Sequence, residues 1–145
     1  MHIRKILCPT DFSPASDAAF EFAATLARQY GASLLIVHVQ EPPAAYQGVQ
    51  WRDGAIHPNR EDLEAALRKI EPPFSEVDSQ YHLLAGDAAE SIVRLAQEQE
   101  ADLIVLGTQG RTGLAGVLMG SVAEAVVRQS PLPVLTCKHS LTAKV

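Results

Sequence analysis

Basic residues are in deficit: 12 lysines and arginines stand against 17 acids, for a formal net charge of -5. A chain that works mainly on nucleic acid ordinarily carries a basic surplus, so that partner class is excluded as the main one. No apolar run approaches the ~18 residues of a membrane span, which excludes a transmembrane helix. The opening residues MHIRKILCPTDFS carry no apolar leader core and no small-residue cleavage site. Cysteine is confined to Cys8 and Cys137, both in predicted strands. Packed thiols in a reducing compartment are therefore expected rather than a disulfide framework. Aromatics are sparse, and the one tryptophan, Trp51, falls in an expected loop. A mildly acidic protein of the cytoplasm is expected. Chemical motifs are missing too. There is no G-x-x-x-x-G-K-[ST], so the lysine and hydroxyl of a P-loop NTPase are absent. No G-x-G-x-x-G follows the first strand, which disfavours a dinucleotide oxidoreductase. No Ser/His/Asp or Cys/His set suggests nucleophilic catalysis.

The most informative segment present is DLIVLGTQGRTGLAGVLMGS, residues 102–121. The run Leu103-Ile104-Val105-Leu106 is aliphatic enough for a strand buried on both faces. The loop after it holds five of the nine glycines, Gly107, Gly110, Gly113, Gly116 and Gly120, and Ser121 then opens an apolar-periodic helix. Glycine lets backbone N–H groups approach an anion with no Cβ in the way. A helix start adds unpaired N–H donors and the positive end of a dipole. Arg111 lies inside the loop and can reach the same anion. A phosphate-bearing ligand, and among these a nucleotide, is the expected partner.

The remaining elements alternate. Ile3 to Cys8 reads as a strand ending at Pro9, and Ser13-Pro14 as a helix start with serine at the N-cap and proline at the first helical position. That helix carries an apolar stripe through Ala18, Ala19, Phe22, Ala23 and Leu26 and stops before Gly31. Ser33 to Val39 is the second strand. Residues 41–58, with three prolines and two glycines, are expected to form a long irregular loop that acts as a lid. Asn59 caps a helix from Arg60 to Ile70, Val77 to Leu84 is the third strand, and Asp87 with Glu90 resembles a capping box opening the next helix. Ser121 to Gln129 and Val134 to Cys137 supply the last helix and strand. Strict alternation predicts an α/β fold, a single doubly wound domain with a parallel sheet and helices on both faces.

The residues resemble the universal stress protein family, in its nucleotide-binding branch, almost end to end. The resemblance runs from the turn Pro9-Thr10-Asp11-Phe12-Ser13 to the terminal Pro133-Val134-Leu135. Its most specific part is glycine, two residues, glycine, nine residues, glycine, then serine or threonine, met by Gly107, Gly110, Gly120 and Ser121. The resemblance implies a five-stranded sheet in the order 3-2-1-4-5, with ligands at the switch point between strands one and four. It implies ATP or AMP as the bound species, with Mg2+ as a companion of ATP. Asp11 would lie beside the ribose or base and Val39 against the adenine, with Pro9 and Thr10 also among the nucleotide-binding residues. The backbone of Gly110 with Gly120 and Ser121 would lie on the phosphates, and Gly107, Arg111 and Val122 complete the expected nucleotide-binding set. It also implies a role in stress physiology and a homodimer through the last strand. That strand would lie at a sheet edge, where Pro131 and Pro133 are tolerated. The SGG-x-DS run of the related ATP pyrophosphatases is absent from the first turn.

Several of these residues have plainer roles open to them. Ser121 with Glu124 fits a capping box that satisfies the helix start without a ligand. Asp11 can serve as a turn residue bonding local backbone, and Arg111 as a solvated charge. His38 is expected to be packed, and Ser16 and Asp17 to be first-turn helix residues. Two other functions stand beside nucleotide-dependent regulation: a slow ATPase, and an interaction module working through its dimer surface without nucleotide. Hydrolysis is expected to be slow or undetectable, since no group is evident to orient water.

Overall fold

Aliphatic runs stopped by proline, glycine or a cluster of polar residues become the strands of this protein, and alanine-rich amphipathic segments become its helices. The computed structural model describes residues 2–41, 60–108 and 119–138. In chain order the elements are β1 (Lys5–Pro9), α1 (Pro14–Tyr30), β2 (Ser33–Gln40), α2 (Arg60–Arg68), β3 (Ser79–Ala85), α3 (Ala88–Glu98), β4 (Leu103–Gly107), α4 (Ser121–Gln129) and β5 (Val134–Cys137). All strand pairings are parallel, in the order β3-β2-β1-β4-β5. The doubly wound α/β fold and its strand order are thus as expected. Of the loop expected over 41–58, only Glu41 lies within the described residues, and the Asn59 cap lies outside them.

Two apolar layers sandwich the sheet. On one face α1 and α2 bury Ala19, Ala23, Ala27 and Leu67 against Ile6, Cys8, Leu34, Ile36 and Val105. On the other, α3 and α4 bury Ile92, Val93, Ala96, Ala123 and Val126 against Leu7, Leu35, Val37, Ile104 and Leu106. Adjacent residues of each central strand therefore face opposite layers, which is why these strands read as unbroken aliphatic runs. Right-handed crossovers running outward in one direction and then the other place the two helix pairs on opposite faces. Each buried leucine or isoleucine contributes about 1.5–3 kcal/mol of transfer free energy.

The sheet parts where its winding reverses. β1 matches β2 from Lys5↔Ser33 to Pro9↔Val37, but it matches β4 only at Ile6↔Leu103 and Leu7↔Ile104. Beyond Leu7 these central strands have no further register pair, and Pro9 supplies no N–H to prolong a ladder. The first turn of α1 stands at this parting, started by Ser13 as N-cap, whose side chain accepts from the Ser16 N–H, with Pro14 behind it. At its far end α1 closes on Gly31 in the left-handed conformation (φ 66°), as the sequence leads one to expect.

Some boundaries differ from the expectation. α2 ends at Arg68, because Lys69 and Ile70 donate to Ala66 and Leu67, three residues back, and tighten the last turn. β3 begins at Ser79 rather than Val77, whose side chain is buried in the α1 layer from the preceding turn. Both cysteines are buried and free, and burial pushes both thiols above the usual range.

His82 on β3, opposite Val37, buries its Nε2 with no hydrogen-bond partner among the described residues. Burial pushes its pKa below the ordinary histidine value. The folded state therefore favours the neutral ring. Its contribution is full above the unfolded pKa of about 6.5 and is lost as pH falls through that value towards the lower folded one. Urea midpoints are expected to fall between pH 7.5 and 5.5, and His82→Leu is expected to reduce that fall. Parallel losses in the two proteins would assign the acid sensitivity to other groups.

Candidate functional site

The turn after β1 is built from side chains that fold back on the backbone. Thr10 Oγ1 accepts from the Phe12 N–H at 3.0 Å, and Asp11 Oδ1 accepts from the Ser13 N–H at 3.0 Å. These two successive side-chain turns force Phe12 into the left-handed region at φ 65°. For a bulky residue that conformation costs of order 1–3 kcal/mol and persists only where its surroundings hold it. His38 does the holding. Its Nδ1 lies 2.8 Å from the Thr10 carbonyl oxygen, so Nδ1 carries the proton and donates, and its ring packs on Phe12 with centroids 4.7 Å apart. Beneath the turn Ser16 Oγ lies 3.0 Å from Asp11 Oδ1, within a buried set of hydroxyls from Thr10, Ser13 and Ser16. Asp11 itself is only half-buried. Among the described residues its second oxygen, Oδ2, accepts nothing.

On the neighbouring strand, β4 ends at Gly107 against α1. A Cβ at Gly107 would stand 2.8 Å from the Ala15 carbonyl oxygen. Thr108 N–H then donates to the Cys137 carbonyl, and the Gly120 N–H donates back to the Thr108 carbonyl. The two ends of the glycine-rich loop therefore meet beside β4. α4 starts there with Gly120 as N-cap, in extended backbone (φ -70°, ψ 162°), and with no side-chain cap. The capping box expected of Ser121 and Glu124 does not form. Ser121 is the first helical residue rather than the N-cap, and Glu124 turns along the helix to Arg128, 3.1 Å away. A carboxylate four residues before an arginine finds its partner on the helix surface, so it does not reach back to the helix start. By contrast α1 is capped by Ser13, and α3 by Asp87, whose side chain accepts from the Glu90 N–H. Glu41 Oε2 also accepts from the Ala88 N–H at the start of α3.

The arrangement offers backbone donors and a helix dipole at the C-terminal edge of the sheet, with a carboxylate one strand away. The sequence model of the Universal stress protein family matches residues 2–138. The chain belongs to this family. Universal stress protein MJ0531 of Methanocaldococcus jannaschii is 34% identical over 141 residues, which span 93% of this chain and 82% of that protein. Among solved structures, protein MJ0577 superposes with a TM-score of 0.83 at 25% identity, covering 95% of this chain and 97% of that one. A universal stress protein from Archaeoglobus fulgidus, solved in complex with dAMP, superposes with a TM-score of 0.62 at 28% identity over 94% of this chain and 98% of that one.

Within this universal stress protein, the residues singled out by sequence fall into three groups. Pro9, Thr10 and Asp11 share the turn after β1. Val39 stands on β2 two residues beyond the pair Pro9↔Val37. Gly107, Gly120, Ser121 and Val122 gather around the end of β4, and the partly buried Val122 side chain packs against the α3–α4 layer. Gly110 and Arg111 lie outside the described residues. Sequence reasoning missed three contributors. Phe12 carries no local signal for a left-handed backbone. Ser16 looks like any first-turn serine. His38 is packed, as the sequence predicts, and what the sequence does not show is its partner, the Thr10 carbonyl, 28 residues away.

Glycine at 107 is demanded by packing against a backbone atom, which cannot rotate aside. Gly107→Ala is expected to destabilise the protein by about 1–3 kcal/mol, as overpacking does, whether or not nucleotide is present. Chemical denaturation without added ligand measures this, and an unchanged midpoint would show that α1 and β4 separate at no cost.

Proposed function

We propose that this universal stress protein binds an adenine nucleotide, ATP or AMP, and acts as a nucleotide-dependent regulator of stress physiology in the cytoplasm. The observation that carries the proposal is the start of α4. Its N-cap is a glycine in backbone any residue adopts, where serine, threonine, asparagine or aspartate would cap better. Among the described residues the first-turn N–H groups thus have no side-chain acceptor, and the N-cap itself carries no Cβ. That combination suits a phosphate, which accepts from several N–H groups and favours the dipole's positive end. Gly110, Gly120 and Ser121 would hold the phosphates, with Arg111 beside them, and Asp11 and Val39 would take the nucleoside. The dAMP bound by the related A. fulgidus protein and the position at the switch point support the same ligand class. No three His, Cys, Asp or Glu side chains come together among the described residues. A Mg2+ arriving with ATP would therefore be held largely by phosphate oxygens and water. Binding rather than turnover is the proposed activity, and a slow ATPase is the second reading.

Calorimetry with ATP and with adenosine tests the ligand. Gly120→Val is expected to weaken ATP by at least about tenfold, or 1.4 kcal/mol, by placing a branched side chain before the phosphates. Asp11→Ala is expected to weaken ATP and adenosine by a similar factor. A folded Gly120→Val protein with unchanged ATP affinity would overturn the phosphate assignment. Turnover is expected to stay below ~1 s⁻¹, the low end of ordinary enzymes.

Dimerisation through β5 belongs to the same proposal. β5 is an edge strand whose Val134 and Leu135 are half-buried, and bare apolar edges invite pairing. Light scattering at micromolar concentration is expected to give a dimer mass, and Leu135→Arg a monomer. A monomer in the unmodified protein ends the idea, and a dimer that survives the arginine uses another face.

A further inference from the structure

We infer that Ser16 is a positioning residue for nucleoside binding, the hub through which three buried hydroxyls aim the Asp11 carboxylate. The inference rests on the proposed contact between Asp11 and the nucleoside, and adds to it the residue that sets the direction of that contact. Ser16 Oγ has one proton and two lone pairs, and four oxygens surround it: Asp11 Oδ1 at 3.0 Å, the Ser13 carbonyl at 3.0 Å, Thr10 Oγ1 at 3.1 Å and Ser13 Oγ at 3.3 Å. The carboxylate and the carbonyl can only accept. A charged acceptor makes the stronger bond, so the Ser16 proton goes to Asp11. The Thr10 hydroxyl already accepts from the Phe12 N–H, and the Ser13 hydroxyl from the Ser16 N–H. Each therefore has its own proton to give to Ser16 Oγ. The pattern closes with the Thr10 and Ser13 protons on Ser16 Oγ and the Ser16 proton on Asp11 Oδ1.

One consequence is asymmetric. Asp11 Oδ1 is filled by the Ser16 hydroxyl and the Ser13 N–H, while Oδ2 accepts nothing among the described residues. A carboxylate held by one oxygen presents the other in a fixed direction, and it can take only a donor such as a sugar hydroxyl or a base amino group. Ser16, Thr10 and Ser13 are each less than a tenth exposed, so water does not substitute freely for a missing member. In a buried network of this kind each bond polarises the next. A serine with only a structural task, bonding back to the Ser13 carbonyl at the helix start, would be indifferent to Asp11.

A double-mutant cycle read by adenosine affinity separates the two roles, since adenosine has no phosphate and reports the nucleoside contact alone. Ser16→Ala is expected to weaken adenosine by about tenfold or more, the size of one lost charged hydrogen bond. In the Asp11→Ala background the same change is expected to have no further effect, because the group it aims is gone. Ser13 still accepts from the residue 16 N–H in the variant, so α1 keeps its cap. If Ser16→Ala proves unfolded by circular dichroism, Ser16→Cys, of similar shape but a poor donor, takes its place in the cycle. An equal loss in both backgrounds would reduce Ser16 to a structural serine. Asp11→Ala weakening adenosine while the Ser16 variant binds normally would overturn the positioning role and leave the Asp11 contact standing. No effect of Asp11→Ala would overturn both.

Discussion

At Gly107 the end of a buried strand lies so close to the first turn of α1 that one added methyl would stand 2.8 Å from the Ala15 carbonyl oxygen. The candidate site depends on that approach. The register between β1 and β4 stops at Leu7↔Ile104, which leaves a place for a helix start between the turns that follow the two strands. Small residues make the approach possible. Ala15, Ala19 and Ala23 of α1 are all buried, and a larger side chain in this row would lift the helix from the sheet. The turn that carries Asp11 runs directly into this helix, so its position is set by packing some residues away from any ligand.

Strain and hydrogen bonding are balanced in that turn. Phe12 holds a backbone conformation that a bulky side chain disfavours. It is kept there by a bond to Thr10, by the His38 ring and by the hydroxyl set around Ser16. Each buried hydroxyl has a partner, so the set rigidifies the turn at no cost in orphaned polar groups. The acceptor chemistry is concentrated on one carboxylate. On the next strand the start of α4 concentrates donor chemistry, because its N-cap brings no side chain to the N–H groups. A ligand with a donor-rich sugar or base at one end and an anionic group at the other matches both.

Much of this was legible in the amino-acid order. Ser13-Pro14 and Gly31 mark both ends of α1, Asp87 marks the start of α3, and the aliphatic runs mark the strands, because caps and periodicity act over a few residues. The glycine spacing from Gly107 to Ser121 draws attention to the end of β4. It did not separate two reasons for glycine. At Gly107 the reason is a neighbouring backbone brought in from α1, whereas at Gly120 the backbone is extended, so a positive φ is not the reason. Ser121 and Glu124 matched a local capping pattern, yet Glu124 pairs with Arg128 instead.

The sequence by itself determined the element order, the parallel α/β class and both ends of α1, since each follows from propensity, capping and burial pattern within a short window. Tertiary structure alone decided how Asp11 is held, why Phe12 is left-handed and why His38 matters. Those features join groups that are separated along the chain or that compete for the same proton: His38 reaches Thr10 across 28 residues, and Ser16 has four oxygens within reach of one hydrogen. Which bond forms depends on where the sheet sets β1 beside β2 and where α1 comes to rest, and no local pattern in the chain encodes that choice.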